Sequence, residues 1–337
     1  MTTPSPARVR AMPKVELHLH IEGSLEPELM FALAQRNGVH LPWPDIESLR
    51  QAYAFTDLQS FLDVYYQGAA VLLHARDFHE LTAAYCDRAA RDGVRHVELF
   101  VDPQTHTDRG VPLDAVVEGL TSALAEARAR HGITSAIIPC FLRHLPVEAA
   151  TACFSDCLRF GDRFAAFGLD SSERGHPPRE HAGVFARVRA AGFRTVAHAG
   201  EEGPPEYIAE ALDLLGVSRI DHGVRCLESP ALVDRLVRER MPLTVCPLSN
   251  VKLRVVDRLA DHPLAKMLAA GLRVTVNSDD PAYFGGYIGE NFTACVRALA
   301  LGTAELRTLA ANAIDAAFIG DERRTELHAE LDTWAAD

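Results

Sequence analysis

Short apolar runs alternate with longer amphipathic stretches along the whole chain. The runs are VELHLH at 15–20, VRHVELF at 94–100, SAIIPCFL at 135–142, AAFGLD at 165–170, RTVAHA at 194–199, RIDHG at 219–223, LTVCP at 243–247 and VTVNSDD at 274–280. Each is largely continuous in its hydrophobicity and rich in β-branched residues, as expected of parallel strands covered on both faces. The stretches between them repeat apolar residues at helical spacing. One helix is expected to begin at Ser24 as N-cap, carry Glu26 and Glu28 in its first turn, and stop at Gly38. Another is expected over 206–215, ending at Gly216. Eight strands alternating with helices predict an α/β fold, a (β/α)8 TIM barrel. Extra helices are inserted after strand one, over about residues 24–92, and at the C-terminus. An open doubly wound sheet is the alternative. It would carry a glycine-rich phosphate loop after its first strand, and none is present.

Residues of unusual chemistry fall at the ends of these runs. Strand one ends in His18-Leu19-His20. Side chains alternate along a strand, so residues two apart point the same way, and both imidazoles face the barrel interior. Strand five ends in His198-Ala199-Gly200-Glu201, strand six in Asp221-His222-Gly223, and strand eight in Asp279-Asp280-Pro281. A lone His at a strand end reads more readily as a hydrogen-bonded structural residue than as a ligand. Four strands delivering His, Glu or Asp to one barrel mouth read differently, because such groups are costly to bury without a cation or a reaction. An HxH pair, a further His and an Asp form a nitrogen and oxygen donor set suited to one divalent metal ion, Zn2+ first and Fe2+ or Mn2+ after it. The histidines at 40, 74, 79, 131, 181, 262 and 328 lie in expected helices or loops and read as surface or packing residues. There is no HExxH helix, GxSxG elbow or GxxxxGK[ST] loop, and the H-x-E…P-C-x-x-C signature of deaminases that act on flipped bases is missing.

Composition narrows the partners. A length of 337 residues exceeds what one core usually serves, but a barrel with added helices accommodates 1–337 as a single domain. The formal net charge of −12 argues against a broad nucleic-acid surface and is silent on a small neutral ligand in a pocket. No segment has the length and apolarity of a membrane span, and residues 1–12 lack the apolar stretch of a secretory leader. The seven cysteines are scattered and odd in number, which reads as buried free thiols in a reducing cytoplasm. A homo-oligomer is left open.

The ordered motifs resemble those of the adenosine/adenine deaminase family of the amidohydrolase superfamily, over nearly the whole chain. The matches are PKVELHLHIEGSLEPE at 13–28, VELFVDPQTH at 97–106, GLDSSERG at 168–175, VAHAGEEGPPEY at 196–207, IDHGVR at 220–225, CPLSNVKL at 246–253 and VNSDDPAYFGGY at 276–287. HxH alone is a weak signal; HxH followed in order by HAGE, DHG and SDDP is very specific. The resemblance implies that His18, His20, His198 and Asp279 ligate the metal. It implies that Glu201 gives a proton to purine N1, that His222 positions and deprotonates the attacking water, and that Asp280 hydrogen-bonds purine N7. Glu201, His222 and Asp279 are then the catalytic set. A cation that brings the pKa of water to about 7 supplies the nucleophile for attack at C6, and ammonia leaves an oxo-purine.

Two departures from the nucleoside-acting members point to a free base. Those enzymes read HxHxDG after strand one, with the Asp contacting ribose; here that position is Glu22, whose extra methylene is expected to intrude on the sugar's space. They also carry a Gly a few residues after the strand-four Asp, facing purine N3; here Asp170 is followed by Ser171, Ser172 and Glu173, and Glu173 is expected to accept from N3–H or N9–H of a base. The resemblance therefore favours adenine converted to hypoxanthine and ammonia, as in purine salvage. An N6-substituted adenine is an alternative if the wall at 55–66 admits a bulkier amine, and adenosine is another. A metal-binding pseudoenzyme is the distant alternative, and it would lack at least one catalytic group.

Overall fold

The computed structural model describes residues 4–336. Eight parallel strands follow one another in sequence order: β1 (Lys14–His20), β2 (Val94–Val101), β3 (Thr134–Leu142), β4 (Ala166–Asp170), β5 (Arg194–Ala199), β6 (Arg219–His222), β7 (Pro242–Val245) and β8 (Arg273–Val276). The ends of the sheet are joined by backbone bonds beyond β8. Asp279 N donates to His18 O at 3.1 Å, and His20 N donates to Asp279 O at 3.0 Å. Helices lie between successive strands, so the architecture is a (β/α)8 barrel.

Two expected strands end early, for backbone reasons. β7 stops at Val245 because Pro247 lacks an N–H and opens the helix Pro247–Lys252. β8 stops at Val276. The next residues form an extended connection ending at Asp279, whose φ of 64° leaves the strand region. The first helix after β1 also begins later than Ser24. Pro27 occupies its first turn, Glu26 is the N-cap, and Ser24 instead donates its hydroxyl to Ile21 O at 2.7 Å. The expected helix over 206–215 is α-helical over Pro205–Glu210 and widens to a π-turn over Ala211–Leu215 before Gly216.

The barrel interior is layered. At its N-terminal end Glu98 and Arg219 form a fully buried ion pair at 2.6 Å. Above it Phe100, Ile138, Cys140, Ala166 and Val196 make a dry apolar plug. Phe100 supports the layer above by packing against the rings of His18 and His20, both at 5.1 Å. Outside the strands, Phe167 stacks on Phe141 at 5.6 Å and meets Phe154 and Phe193 edge-on. Burying each such ring contributes about 1.5–3 kcal/mol.

After α1 (Pro6–Ala11), the insertion between β1 and β2 contributes α2 (Pro27–Asn37), α3 (Ile46–Ala52), α4 (Leu58–Ala69) and α5 (Ala75–Arg91). Asp57 caps α4 by accepting from Ser60 N at 2.9 Å. Phe61, Leu62 and Tyr65 on the buried face of α4 are turned toward the C-terminal mouth, where Phe61 packs on Phe284 at 4.6 Å. Helices Ile288–Leu299, Thr303–Ala316 and Asp321–Ala336 complete the chain. No helix among the described residues is long and apolar enough to cross a membrane, and all seven cysteines are buried and free.

Candidate active site

The C-terminal ends of β1, β5, β6 and the β8 connection converge on one cavity, with about 380 Å3 of space between atoms including its mouth. His20, His198, Glu201, His222, Asp279 and Asp280 line it. His18 lies beneath, its Nε2 3.2 Å from Asp279 Oδ1. His20 Nε2 is 3.1 Å from His198 Nε2 and 3.6 Å from Asp279 Oδ1. His222 Nε2 is 3.5 Å from Glu201 Oε2 and 3.8 Å from Asp279 Oδ2.

The backbone is bent to achieve this. His222 and Asp279 both have φ of 64°, a left-handed conformation costly for residues with a side chain. Gly200, at φ 73°, turns the chain between His198 and Glu201 so that both reach the same cavity. Gly23 allows Asp280 to sit close. A Cβ on Gly23 would come 1.9 Å from Asp280 Oδ1.

The imidazoles are aimed by polar partners on their far sides. His198 Nδ1 donates to Leu169 O at 3.1 Å, which leaves Nε2 as a bare acceptor. Thr244 Oγ1 lies 2.9 Å from His18 Nδ1 and donates to Asp221 Oδ1 at 2.8 Å. Asp221 also lies 3.7 Å from His198 Nδ1. Behind Asp279, the neighbouring Ser278 donates its backbone N–H to Glu16 Oε1 at 3.1 Å. Such outer contacts fix ring tautomers and ligand directions in metal sites.

Electrostatics separate the groups. Burial holds His222 down at about 3 and His20 at about 4, and pushes His198 well below its ordinary value. Burial opposes charge on His18 too, but the adjacent Asp279 prevails and raises it. Asp279 is held well below the usual carboxylate range, because His18, His222 and His20 outweigh its burial. Glu201 is pushed well above that range by burial and by Asp279, and Asp280 likewise. The outcome is one anionic carboxylate among largely neutral imidazoles, flanked by two carboxyls that favour their protonated forms.

The donor set fits a divalent cation. His18 Nε2 is buried and lacks a hydrogen-bond partner. Two imidazole Nε2 atoms face each other at 3.1 Å, a contact that a shared cation satisfies. His18, His198, His222 and Asp279 offer donor atoms all within 4.8 Å of one another, and His20, Asp279 and Asp280 form an adjoining group.

Two expected substrate groups are corrected. Glu22 is not among the residues lining the cavity; its Oε1 takes His106 Nε2 at 2.7 Å and the backbone N–H of Asp102 at 3.2 Å, while its Oε2 is buried without a partner among the described residues. Glu173 is likewise occupied. Its carboxylate accepts backbone N–H groups from Gly200 at 2.6 Å, Glu201 at 3.1 Å, Glu202 at 2.7 Å and Gly203 at 2.7 Å. Both long side chains fold back onto backbone donors that would otherwise be buried without partners. Asp170 does line the cavity, with Oδ2 3.6 Å from His20 Nδ1. Asp102 and Tyr65 line it as well, and Tyr65 OH donates to Asp102 Oδ2 at 3.0 Å. Sequence reasoning passed over Asp102, which follows directly on β2 at the same end of the barrel as Asp170, Glu201, Asp279 and Asp280.

A barrel with this cluster at its mouth belongs to the class of metal-site hydrolases, and the comparisons with known proteins specify the class. The family model described as adenosine deaminase matches residues 13–334, so the chain belongs to the adenosine deaminase family. A Rhodospirillum rubrum relative named adenine deaminase is 60% identical over 326 residues, covering 97% of this chain and 98% of the relative. The crystal structure of adenine deaminase from Arthrobacter aurescens superimposes with a TM-score of 0.95 at 53% identity, covering 97% of this chain and 100% of that one. An amidohydrolase from Burkholderia ambifaria, solved with bound Zn, superimposes with a TM-score of 0.90 at 29% identity over 100% of this chain and 96% of its own.

Proposed function

We propose that this chain hydrolyses adenine to hypoxanthine and ammonia, with residues 1–337 acting as one unit. The observation that supports it best is the single cavity shared by three imidazoles, the Asp279 carboxylate and Glu201. His18, His20, His198 and Asp279 would hold the cation, and zinc is the ion that the solved amidohydrolase carries. When bound, the cation supplies acidity, bringing the pKa of water to about 7. Seven buried free thiols suit the reducing cytoplasm expected from the sequence.

The remaining work belongs to side chains. His222, held neutral by burial, sets Nε2 3.8 Å from Asp279 Oδ2, where it takes the proton of the attacking water. Glu201, pushed toward its protonated form, delivers a proton to purine N1 as C6 becomes tetrahedral. Asp280, also pushed toward protonation, donates to N7 and fixes the ring. Water enters at C6, the C6–N bond breaks, and the amine departs as ammonia with a proton relayed within the cluster. Leu58, Phe61, Leu62 and Phe284 cover the ring and exclude bulk water.

The test is kcat/KM for adenine, N6-methyladenine and adenosine on protein whose metal content is measured in the same sample. Adenine should lead, with about one equivalent of metal per chain. A lead for adenosine would refute the substrate assignment.

A further inference from the structure

We infer that Asp102 separates a free purine base from its nucleoside by accepting the N9–H of the five-membered ring. The inference rests on adenine as substrate and adds the group that recognises the ring edge distal to the reaction.

Asp102 follows β2, is 2% exposed, and lines the same cavity as His20, Glu201 and Asp280. Its position is fixed on two sides. Its backbone N–H donates to Glu22 Oε1 at 3.2 Å, and its Oδ2 accepts from Tyr65 OH at 3.0 Å. Its other oxygen, Oδ1, is buried with no donor directed at it among the described residues. Burial together with the neighbouring Asp170 pushes the carboxyl well above the usual carboxylate range, so it keeps a proton and has one oxygen left to accept.

Four carboxyl groups of the cavity each keep one oxygen without a partner, and three of them can be assigned to purine ring positions. The oxygens are Glu201 Oε1, Asp280 Oδ1, Asp170 Oδ1 and Asp102 Oδ1. N1 and N7 call on Glu201 and Asp280. Adenine then has two ring positions left, the acceptor N3 and the donor N9–H. Tyr66 and Ser171 bond each other at 2.8 Å, which commits those hydroxyls. Asp170 places Oδ2 3.6 Å from His20 Nδ1 and orients that ring. Of the two acids, Asp102 is the one that no metal-site imidazole approaches within 4.0 Å, and it is the one assigned as acceptor for N9–H. His20, Asp102 and Asp170 bring donor atoms within 4.8 Å of one another, and His20 is equally close to Asp279 and Asp280. The acid pair therefore lies within a base's width of the reacting centre.

A nucleoside has no N9–H and carries a sugar at that nitrogen. It would leave Asp102 Oδ1 buried without a donor and drive C1′ into the Asp102–Tyr65 wall. A site that hydrogen-bonds one substrate group rejects the analogue lacking it strongly, because its own polar atom is left unpaired.

The experiment compares adenine with 9-methyladenine, which keeps N1, N3, N7 and the amine but lacks N9–H, on wild type, Asp102→Ser and Asp102→Asn. Wild type should favour adenine by at least about a hundredfold in kcat/KM. Asp102→Ser should narrow that preference at least tenfold, with adenine KM rising more than kcat falls. Asp102→Asn keeps an acceptor oxygen and should restore most of the preference. If the serine variant does not accumulate, Tyr65→Phe, which frees Asp102 Oδ2, should narrow the preference in the same direction. Equal turnover of both substrates by wild type overturns the inference, as does an unchanged ratio in Asp102→Ser. Turnover of neither by metal-loaded wild type overturns the adenine assignment itself, which is a separate result.

Discussion

Glu173 offers the sharpest test of how this site is held. Its carboxylate accepts four consecutive backbone N–H groups, from Gly200 through Gly203, at 2.6–3.1 Å. That segment carries Glu201 and turns through the left-handed Gly200. Glu173→Gln is nearly isosteric. It replaces one acceptor oxygen with an NH2 that confronts the N–H groups formerly bound there. Hydrogen bonds to a charged group contribute roughly 1.5–3 kcal/mol each, and a buried donor left unpaired costs about 1–3 kcal/mol. Losing about two of the four bonds therefore costs on the order of 3–5 kcal/mol. With an unfolding entropy of roughly 2.1 cal/mol/K per residue over 337 residues, about 0.7 kcal/mol/K, the unfolding midpoint should fall by about 4–7 °C. The assay is differential scanning calorimetry alongside steady-state kinetics on adenine. Because Glu201 is displaced rather than deleted, kcat should fall about tenfold or more while KM moves little. A variant with wild-type thermal stability and a raised KM would refute this account, and would return Glu173 to the substrate contact that the sequence suggested.

Three further outcomes follow from the same geometry. Glu201→Gln should keep its metal, measured by atomic absorption, and lose at least about a hundredfold in kcat, because an amide cannot give up the proton that N1 requires; retained turnover would remove Glu201 from the reaction. Gly23→Ala places a methyl 1.9 Å from Asp280 Oδ1 and should raise adenine KM at least tenfold with a near-native circular dichroism spectrum; an unchanged KM would detach Asp280 from the purine. Burial pushes the Glu98 carboxyl up, but Arg219 and His96 overcome that and hold it at about 2, against 4.5 for the free side chain. The stabilisation from that ion pair, about 3 kcal/mol, is therefore full above about pH 4.5 and is withdrawn as pH falls toward 2. Urea titrations of Glu98→Gln should show lower stability at pH 7 and a flatter decline between pH 4.5 and 2 than wild type, and parallel curves would contradict the reading.

The barrel and the strand-end cluster were legible in the sequence because both follow from short-range periodicity. Eight apolar runs marked the strands, and the two-residue repeat of β1 sent His18 and His20 to the same side. The element ends that differ, β7, β8 and the helix after β1, are places where Pro247, Asp279 and Pro27 act on the backbone locally, which an apolar pattern does not record. The substrate wall was misread for another reason. The resemblance set Glu22 at, and Glu173 near, positions expected to face the ligand, and a motif assigns a position without assigning a direction. Each carries a flexible stem long enough to reach backbone N–H groups that would otherwise be buried unpaired, and that demand turned both toward the backbone. Glu22 then grips the backbone of Asp102, so a substitution that leaves the ligand untouched at its own position sets a carboxyl against it one strand away. Preference for a base over a nucleoside is on this reasoning a property of the Glu22–Asp102–Tyr65 chain rather than of residue 22. Glu22→Asp, which restores the nucleoside-type residue but shortens its reach to Asp102 and His106, should weaken adenine binding without conferring turnover of adenosine. Gain of adenosine activity from that single change, measured by kcat/KM, would show that residue 22 meets the sugar after all.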